Sequence, residues 1–359
     1  MTYNGEKKYQ GEANDFICTI SYEKGIYAEL HSKSNSHNIG KKDFLYEGVE
    51  SLSKKIADWI DNLCWNILTK SVGIDAKYFD SKNGRLAYYE YNTHLKGTPI
   101  IFLHGGPGGN SNTTRARSLK LNHPIYLYDQ LGCGKSDPIP NIKSWCHTDY
   151  FNELKEFVDK MGFRKIIIIG ASWGAGLAVG YATMTNCEKI ESMILLSPFF
   201  SSKKWTEDQI ENTRRLSDEY QKEISDFNNG IGTIENYKHF MSEYCTHFLF
   251  SQACNRENGL SAGTEEPNIV FKTLWGSNQM VCTGTMKNYN LIDSLSKINV
   301  PVQIMVGDSD EVTLKTAKLY SNLIHNSELK IVKDAGHALS FEQFESYRNN
   351  ILSFLNDNR

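Results

Sequence analysis

The chain carries almost no excess charge: 39 Lys and Arg stand against 42 Asp and Glu, a formal net charge of −3 over 359 residues. That balance gives no reason to expect nucleic acid or an anionic membrane as a partner. Cysteines stand at 18, 64, 133, 146, 187, 245, 254 and 282, and no two form a C-x-x-C pair. This is poor zinc spacing and a poor disulfide framework, so reduced thiols and a cytoplasmic location are expected. The opening residues, Met1 to Lys8, lack the apolar core of a signal peptide. No stretch is long and apolar enough to span a bilayer. Internal repeats and low-complexity tracts are missing. So are the phosphate loops G-x-G-x-x-G and G-x-x-x-x-G-K-[ST]; Gly132-Cys133-Gly134-Lys135-Ser136 is too short for the latter. Nucleotide binding is therefore the weaker class.

What is present centres on Gly170-Ala171-Ser172-Trp173-Gly174. Four isoleucines, Ile166 to Ile169, lead into it and read as a buried strand. A small-residue run, Ala175 to Ala182, leads out and reads as a tightly packed helix. A G-x-S-x-G turn between strand and helix holds its serine strained and exposed at the helix N-terminus.

From about residue 73 the chain alternates strands and helices, the pattern of a mostly parallel sheet in an α/β protein. Strands are expected at Ile74 to Asp80, Leu86 to Tyr91, Pro99 to Leu103, Ile125 to Tyr128, Ser192 to Leu196, Pro301 to Val306 and Leu329 to Val332. Asn83-Gly84 reads as a hairpin turn. Helices are expected over Tyr150 to Met161 and Phe341 to Leu355. Between Phe199 and about Tyr289 charged helical segments, Thr206 to Ile224 and Ile234 to Phe248, suggest an inserted helical cap. Before residue 73, short strands are expected near 16–20 and 26–30, an exposed loop over Lys33 to Lys42, and an amphipathic helix over Val49 to Leu68. The domain reading is an extension over 1–72, a core over 73–199 and 289–359, and a cap over 200–288.

A serine hydroxyl needs a base to take its proton, and the base is usually a histidine oriented by a carboxylate. Ser172, Asp310 and His337 follow late strands in the chain order serine, acid, histidine, which is the α/β-hydrolase order. Asp308 competes with Asp310, which is preferred because a short turn separates it from its strand. The oxyanion donors expected are the backbone N–H of Trp173 and one from His104-Gly105-Gly106-Pro107-Gly108-Gly109, with Gly106 preferred. His104 itself is expected to brace that loop.

Three motifs carry a family resemblance: His104-Gly105-Gly106-Pro107-Gly108, Asp129 through Ser136, and Gly170 through Gly174. With them the chain from about 73 to its end, including Gly307-Asp308-Ser309-Asp310-Glu311-Val312, resembles the proline iminopeptidase family of α/β-hydrolases, closest to the tricorn-interacting aminopeptidase branch. The resemblance implies Ser172 as nucleophile, Asp310 and His337 as its partners, Gly106 and Trp173 as oxyanion donors, a helical cap, and no metal or organic cofactor. It also implies cap glutamates that hold the substrate α-ammonium, at positions where this chain has Gln252 and Gln279. A neutral amide cannot offset a buried ammonium. Either Glu257, Glu265 or Glu266 supplies the charge, or the substrate presents no free amine there.

The leading expectation is a serine hydrolase of amides or short peptides. The second is a hydrolase or acyltransferase acting on an ester, lactone or N-blocked amide in a specialised biosynthetic pathway. The third is a binding protein on a hydrolase fold, disfavoured because the whole triad is retained.

Overall fold

The computed structural model describes residues 74–251 and 268–358, and before them the backbone of strands β1 (Lys7–Tyr9), β2 (Phe16–Ser21), β3 (Ile26–Ser32) and β4 (Asn38–Phe44). The chain divides into two units, Met1–Lys70 and Ser71–Arg359. In the first, β1 to β4 pair in sequence order as an antiparallel sheet. Strand β4 falls largely where the composition suggests a loop. Its Asn, Gly and Lys have low strand propensity, and pairing with β3 (Phe44 opposite Ile26) supplies what propensity does not. The expected helix at Val49 to Leu68 lies outside the described residues.

The second unit is built on an eight-stranded sheet. Its strands are β5 (Lys77–Ser81), β6 (Gly84–Tyr91), β7 (Ile100–Leu103), β8 (Ile125–Tyr128), β9 (Ile166–Ala171), β10 (Ile190–Leu196), β11 (Val302–Gly307) and β12 (Ser327–Val332). Their order is β12-β11-β10-β9-β7-β8-β6-β5. From β8 to β12 every pairing is parallel, while β5 and β6 form an antiparallel hairpin at one edge. The hairpin turn is one residue earlier than expected. Ser81 pairs with Gly84, leaving Lys82 and Asn83 as the turn, and Gly84 takes the positive φ of 149° as the first residue of β6.

Strand side chains alternate between faces, and the isoleucine strand shows this directly. Ile166 and Ile168 enter one core, Ile167 and Ile169 the other. The first core lies under helices α2 (His147–Lys160), α3 (Trp173–Met184) and α8 (Leu314–Leu323), through Leu154, Phe157, Leu177, Ala317 and Tyr320. The second lies under α1 (Thr113–Ser118), the short α9 (Leu339–Glu342) and α10 (Phe344–Asp357), through Ala116, Leu339, Tyr347, Ile351 and Phe354. Each fully buried large aliphatic side chain contributes about 1.5–3 kcal/mol. The central strands therefore hold both layers at once. The terminal helix is broken at Gln343, whose φ of −131° and ψ of 57° interrupt the turn between α9 and α10.

Between β10 and β11 the chain makes helices α4 (Ser202–Thr213), α5 (Asp218–Asn228), α6 (Ile234–Phe248) and α7 (Ile269–Leu274). A bridge between Ser201 and Asn290 closes the base of this insertion. The single helix expected over Thr206 to Ile224 is two helices. Ser217 stands at the N-cap of the second, followed by Asp218 and Glu219 in its first turn, a start signal hidden by continuous polar periodicity. Leu216, Ile224, Tyr237, Phe240, Tyr244, Phe248 and Met280 give the insertion a small core of its own.

Helix α3 packs too closely on its neighbours to carry larger side chains. A Cβ on Gly174 would lie 2.2 Å from the Leu103 carbonyl, and one on Gly180 would lie 2.1 Å from the ring of Phe151. Alanine at 180 would raise helix propensity by up to about 1 kcal/mol, but overpacking costs about 1–3 kcal/mol. We expect Gly180→Ala to lower thermal stability, and Gly180→Ala with Phe151→Leu to lose less than the sum of the two single losses in a double-mutant cycle. Simple additivity would mean that α2 and α3 are not in contact at this point.

Candidate active site

Because β7 to β12 run parallel, their C-terminal ends share one edge of the sheet, where α/β proteins place their sites. Six chain segments converge there: the glycine loop after β7, Asp129 and Gln130 after β8, Ser172 after β9, Ser197 after β10, Asp310 after β11 and His337 after β12.

Ser172 caps α3 with φ 52° and ψ −116°. A non-glycine residue in this region costs about 1–3 kcal/mol, so the surroundings must impose it. Its N–H donates to the Leu196 carbonyl at 2.8 Å, and its carbonyl accepts from Ala175 at 3.0 Å and Phe199 at 3.3 Å. On both sides glycines are required by space: a Cβ on Gly170 would lie 2.4 Å from the Gly174 carbonyl. Ser172 is half-buried, at the start of a helix whose following residue, Trp173, is fully buried.

His337 and Asp310 meet: Nδ1 lies 2.8 Å from Oδ1. Asp310 is 2% exposed. Its Oδ1 also accepts from the Val312 N–H at 3.1 Å, and its Oδ2 accepts from the Ser197 hydroxyl at 2.5 Å and the Gly307 N–H at 3.1 Å. Asp308 has a different task. Its carboxylate accepts from the N–H groups of Asp334 and Ala335 at 3.0 and 3.2 Å, and so ties the turn after β11 to the histidine loop.

One acid near the histidine has no role assigned in the sequence reading. Glu311 Oε2 lies 3.7 Å from His337 Nδ1. Among the described residues no hydrogen bond reaches the Glu311 carboxylate, and burial pushes its pKa up, with Asp310 adding to the rise and His337 opposing it. Burial also opposes the His337 imidazolium, but the charges of Asp310 and Glu311 and the Asp310 hydrogen bond outweigh it, raising the pKa to about 9. The indole of Trp205 meets the imidazole edge-on at 5.6 Å. The only signal for Glu311 was its place directly after Asp310.

The glycine loop crosses the elbow at close range. A Cβ on Gly105 would lie 3.3 Å from that of Ser172, and one on Gly106 (φ 120°) would lie 2.6 Å from the Gly108 nitrogen. His104 braces the loop. The Gln130 N–H donates to its Nε2 at 3.1 Å, so Nδ1 carries the proton and faces the Gly105 carbonyl at 3.0 Å. Burial pushes the His104 pKa down, which keeps it neutral. The Gln130 side chain continues the chain of contacts: its amide donates to the His104 carbonyl at 3.1 Å, and its oxygen accepts from the Trp173 indole at 2.8 Å. One glutamine of the Asp129–Ser136 segment thus ties Trp173 to His104, two residues before Gly106 in the glycine loop.

Hydrogen bonds join the insertion to these loops. The His337 and Ala338 N–H groups donate to the Phe248 and Leu249 carbonyls at 2.7 and 2.9 Å. Asn268 donates to the Gly108 carbonyl at 2.7 Å. Gln279 follows α7, its N–H donating to the Tyr237 hydroxyl at 2.8 Å and its carbonyl accepting from the Trp275 indole at 3.2 Å. No hydrogen bond among the described residues joins it to Ser172, Asp310 or His337. Gln252, Glu257, Glu265 and Glu266 lie outside the described residues. Also among the described residues, no group of His, Cys, Asp and Glu is placed to hold a metal ion, and no helix is long and apolar enough to cross a membrane.

Comparison with known proteins agrees with this architecture. The alpha/beta hydrolase fold family matches residues 98–344. A proline iminopeptidase of Heyndrickxia coagulans is 29% identical over 283 residues, covering 78% of this chain and 98% of that protein. One from Lactobacillus acidophilus is 28% identical and covers 74% of this chain and 94% of its own. Among solved structures, proline iminopeptidase of Mycobacterium smegmatis superposes with a TM-score of 0.70 at 21% identity, covering 79% of this chain and 98% of that one. VinJ superposes with a TM-score of 0.71 at 21% identity, covering 79% and 99%. With the family's segment spanning the glycine loop, the elbow and the histidine turn, and with proline iminopeptidases among the proteins it is similar to, the chain belongs to the α/β-hydrolase fold family.

Proposed function

We propose that the protein is a serine hydrolase of aminopeptidase type that removes an N-terminal residue, proline among the candidates, from a short peptide or aminoacyl amide. Ser172 attacks the carbonyl carbon, and His337 takes the hydroxyl proton and returns it to the leaving amine. Asp310 holds the imidazole in one tautomer and stabilises the imidazolium. The N–H groups of Gly106 and Trp173 receive the oxyanion. Water then releases the acyl group by the same route. Residues 200–288 form the cap above this site.

The observation that carries the aminopeptidase reading is Glu311: a half-buried carboxylate 3.7 Å from His337 with no hydrogen-bond donor of its own among the described residues. A carboxylate whose one charged neighbour is His337 and that accepts no hydrogen bond among the described residues is costly to hold, and a substrate α-ammonium is a partner that would relieve it. Glu311 then supplies the charge that Gln252 and Gln279 lack. The glutamines favour the second reading, a site for an ester, lactone or N-blocked amide.

The triad is tested first, and Glu311 then separates the two readings. A fluorophosphonate should label wild type once and leave Ser172→Ala unlabelled. Asp310→Asn should lower kcat by on the order of 10⁴ through loss of the orienting carboxylate, and Asp308→Asn, which loosens only a turn, by far less. The reverse ranking moves the triad acid to Asp308. For Glu311, a hydrogen bond to a charged group is worth about 1.5–3 kcal/mol. Glu311→Gln should therefore lower kcat/KM for a free-amine prolyl amide by roughly 10- to 100-fold, with little change for its N-acetyl form. The pH profile gives an independent sign. Negative neighbours raise His337, so a bound ammonium that cancels Glu311 should lower it. The acid limb of kcat for the free-amine substrate should lie below that of kcat/KM. Faster cleavage of the N-acetyl amide or an ester by wild type would establish the second reading instead.

A further inference from the structure

We propose that Asn212 and Gln209, on helix α4 of the insertion, are positioning residues that hold the Asp310–Glu311 pair against His337. The proposal rests on the triad reading above and goes beyond it, because neither side chain touches the reacting atoms.

Between the end of β11 at Gly307 and the start of α8 at Leu314 the chain has no regular structure, so its carbonyls need partners from elsewhere. The Asn212 amide donates to two of them, Asp310 at 3.3 Å and Glu311 at 3.0 Å. The Gln209 amide donates to the Glu311 carbonyl at 3.3 Å. Both side chains are fixed in turn. Gln209 accepts from the hydroxyl of Tyr244 on α6, and Asn212 accepts from Arg215 at 3.4 Å. Asn212 and Gln209 are each 1% exposed, and Tyr244 is fully buried. Buried amides in this state carry a large penalty if a partner is lost.

The consequence differs for the two acids. The Asp310 carboxylate has its own partners in Ser197, Gly307, Val312 and His337. The Glu311 carboxylate has no such bonds among the described residues, so its distance from His337 is set through its backbone, where Asn212 and Gln209 hold it. Asp208, one turn away, is a natural contrast. It is also 1% exposed, but it accepts from the hydroxyls of Thr313 and Thr316 at 2.9 and 2.7 Å, at the cap of α8.

The groups that face His337 are Asp310 and Glu311 from the acid loop, Trp205 from α4 and Ser197 from the turn after β10. Glu342 of α9 takes the adjacent Gly336 N–H. Of these, Asp310 and Glu311 have carbonyls held by the α4 amides, and of the two only Glu311 lacks further hydrogen bonds to its carboxylate among the described residues.

The test uses the full chain with Asn212→Leu, Gln209→Met and Asp208→Asn, each measured for thermal stability and for the pH profiles of kcat and kcat/KM on a free-amine prolyl amide. Loosening Glu311 removes one of the charges that raise His337. Asn212→Leu and Gln209→Met should therefore lower kcat/KM roughly tenfold or more and move its acid limb to lower pH by about half a unit to one unit. Asp208→Asn should lose stability and leave the limb in place. If Asn212→Leu does not fold, Gln209→Met, which removes a single bond to the loop, decides on the same readouts. Lowered stability with an unmoved acid limb and unchanged kcat/KM in the α4 amide variants would reduce the clasp to packing and overturn the proposal. Fluorophosphonate labelling that persists in Ser172→Ala is a separate result, and it would remove the triad reading itself.

Discussion

A carboxylate buried to 2% exposure must find a partner for nearly every lone pair, and the Asp310 side chain imposes that constraint on the whole C-terminal edge of the sheet. Its partners come from separate parts of the chain: the end of its own strand at Gly307, the following turn at Val312, Ser197 after β10 and His337 after β12. Each of these positions is in turn fixed by the sheet. Ser197 follows a strand paired on both sides, with β9 and with β11, and its N–H donates to Met305. The histidine loop is tied to the acid turn by Asp308 and to the insertion by the Phe248 and Leu249 carbonyls. A shift of any one element would leave an unpaired charge, so the geometry is maintained collectively.

The serine side of the site obeys a different rule. There the requirement is space and backbone shape. Ser172 is held at a positive φ by its bonds to Leu196, Ala175 and Phe199. Gly170 and Gly174 let strand and helix approach where any side chain would collide with backbone. The glycine loop above is positioned by polar contacts, through neutral His104 and Gln130, without a formal charge. Placing charge on the acid and histidine side and neutral donors on the oxyanion side suits the chemistry. In the proposed mechanism the imidazolium would be met by carboxylates, and the oxyanion by N–H groups.

The contrast explains what was legible in the sequence. Ile166 to Ile169, the elbow and the small-residue helix are local patterns, and the structure has them where periodicity puts them. Helix α6 runs over the residues read for it, Ile234–Phe248. The break at Ser217 and the interruption at Gln343 were not legible, because polar residues at helical spacing look the same whether one helix or two carries them. Strand β4 was hidden for the opposite reason: its composition is that of a loop and only its partner makes it a strand. Ser172, Asp310 and His337 could be named from motifs at strand ends. Glu311, Ser197, Asn212 and Gln209 could not, since their importance arises from contacts that span up to 140 positions in the chain.

The same reasoning bears on how the insertion should be understood. A helical segment with its own small core, formed by Tyr237, Phe240, Tyr244 and Phe248 among others, has the anatomy of a separate lid. Its contacts have a different character. The end of α6 accepts the His337 and Ala338 N–H groups, Asn268 grips the glycine loop, and buried amides of α4 carry the carbonyls of Asp310 and Glu311. These are hydrogen bonds to backbone groups of catalytic loops, and their loss on opening would leave buried donors and acceptors unmet. A rigid lid that swung clear would have to break all of them together. These anchored points of the insertion, in α4, at the end of α6 and at Asn268, are therefore best regarded as part of the frame that holds the loops of Asp310, His337 and the glycines.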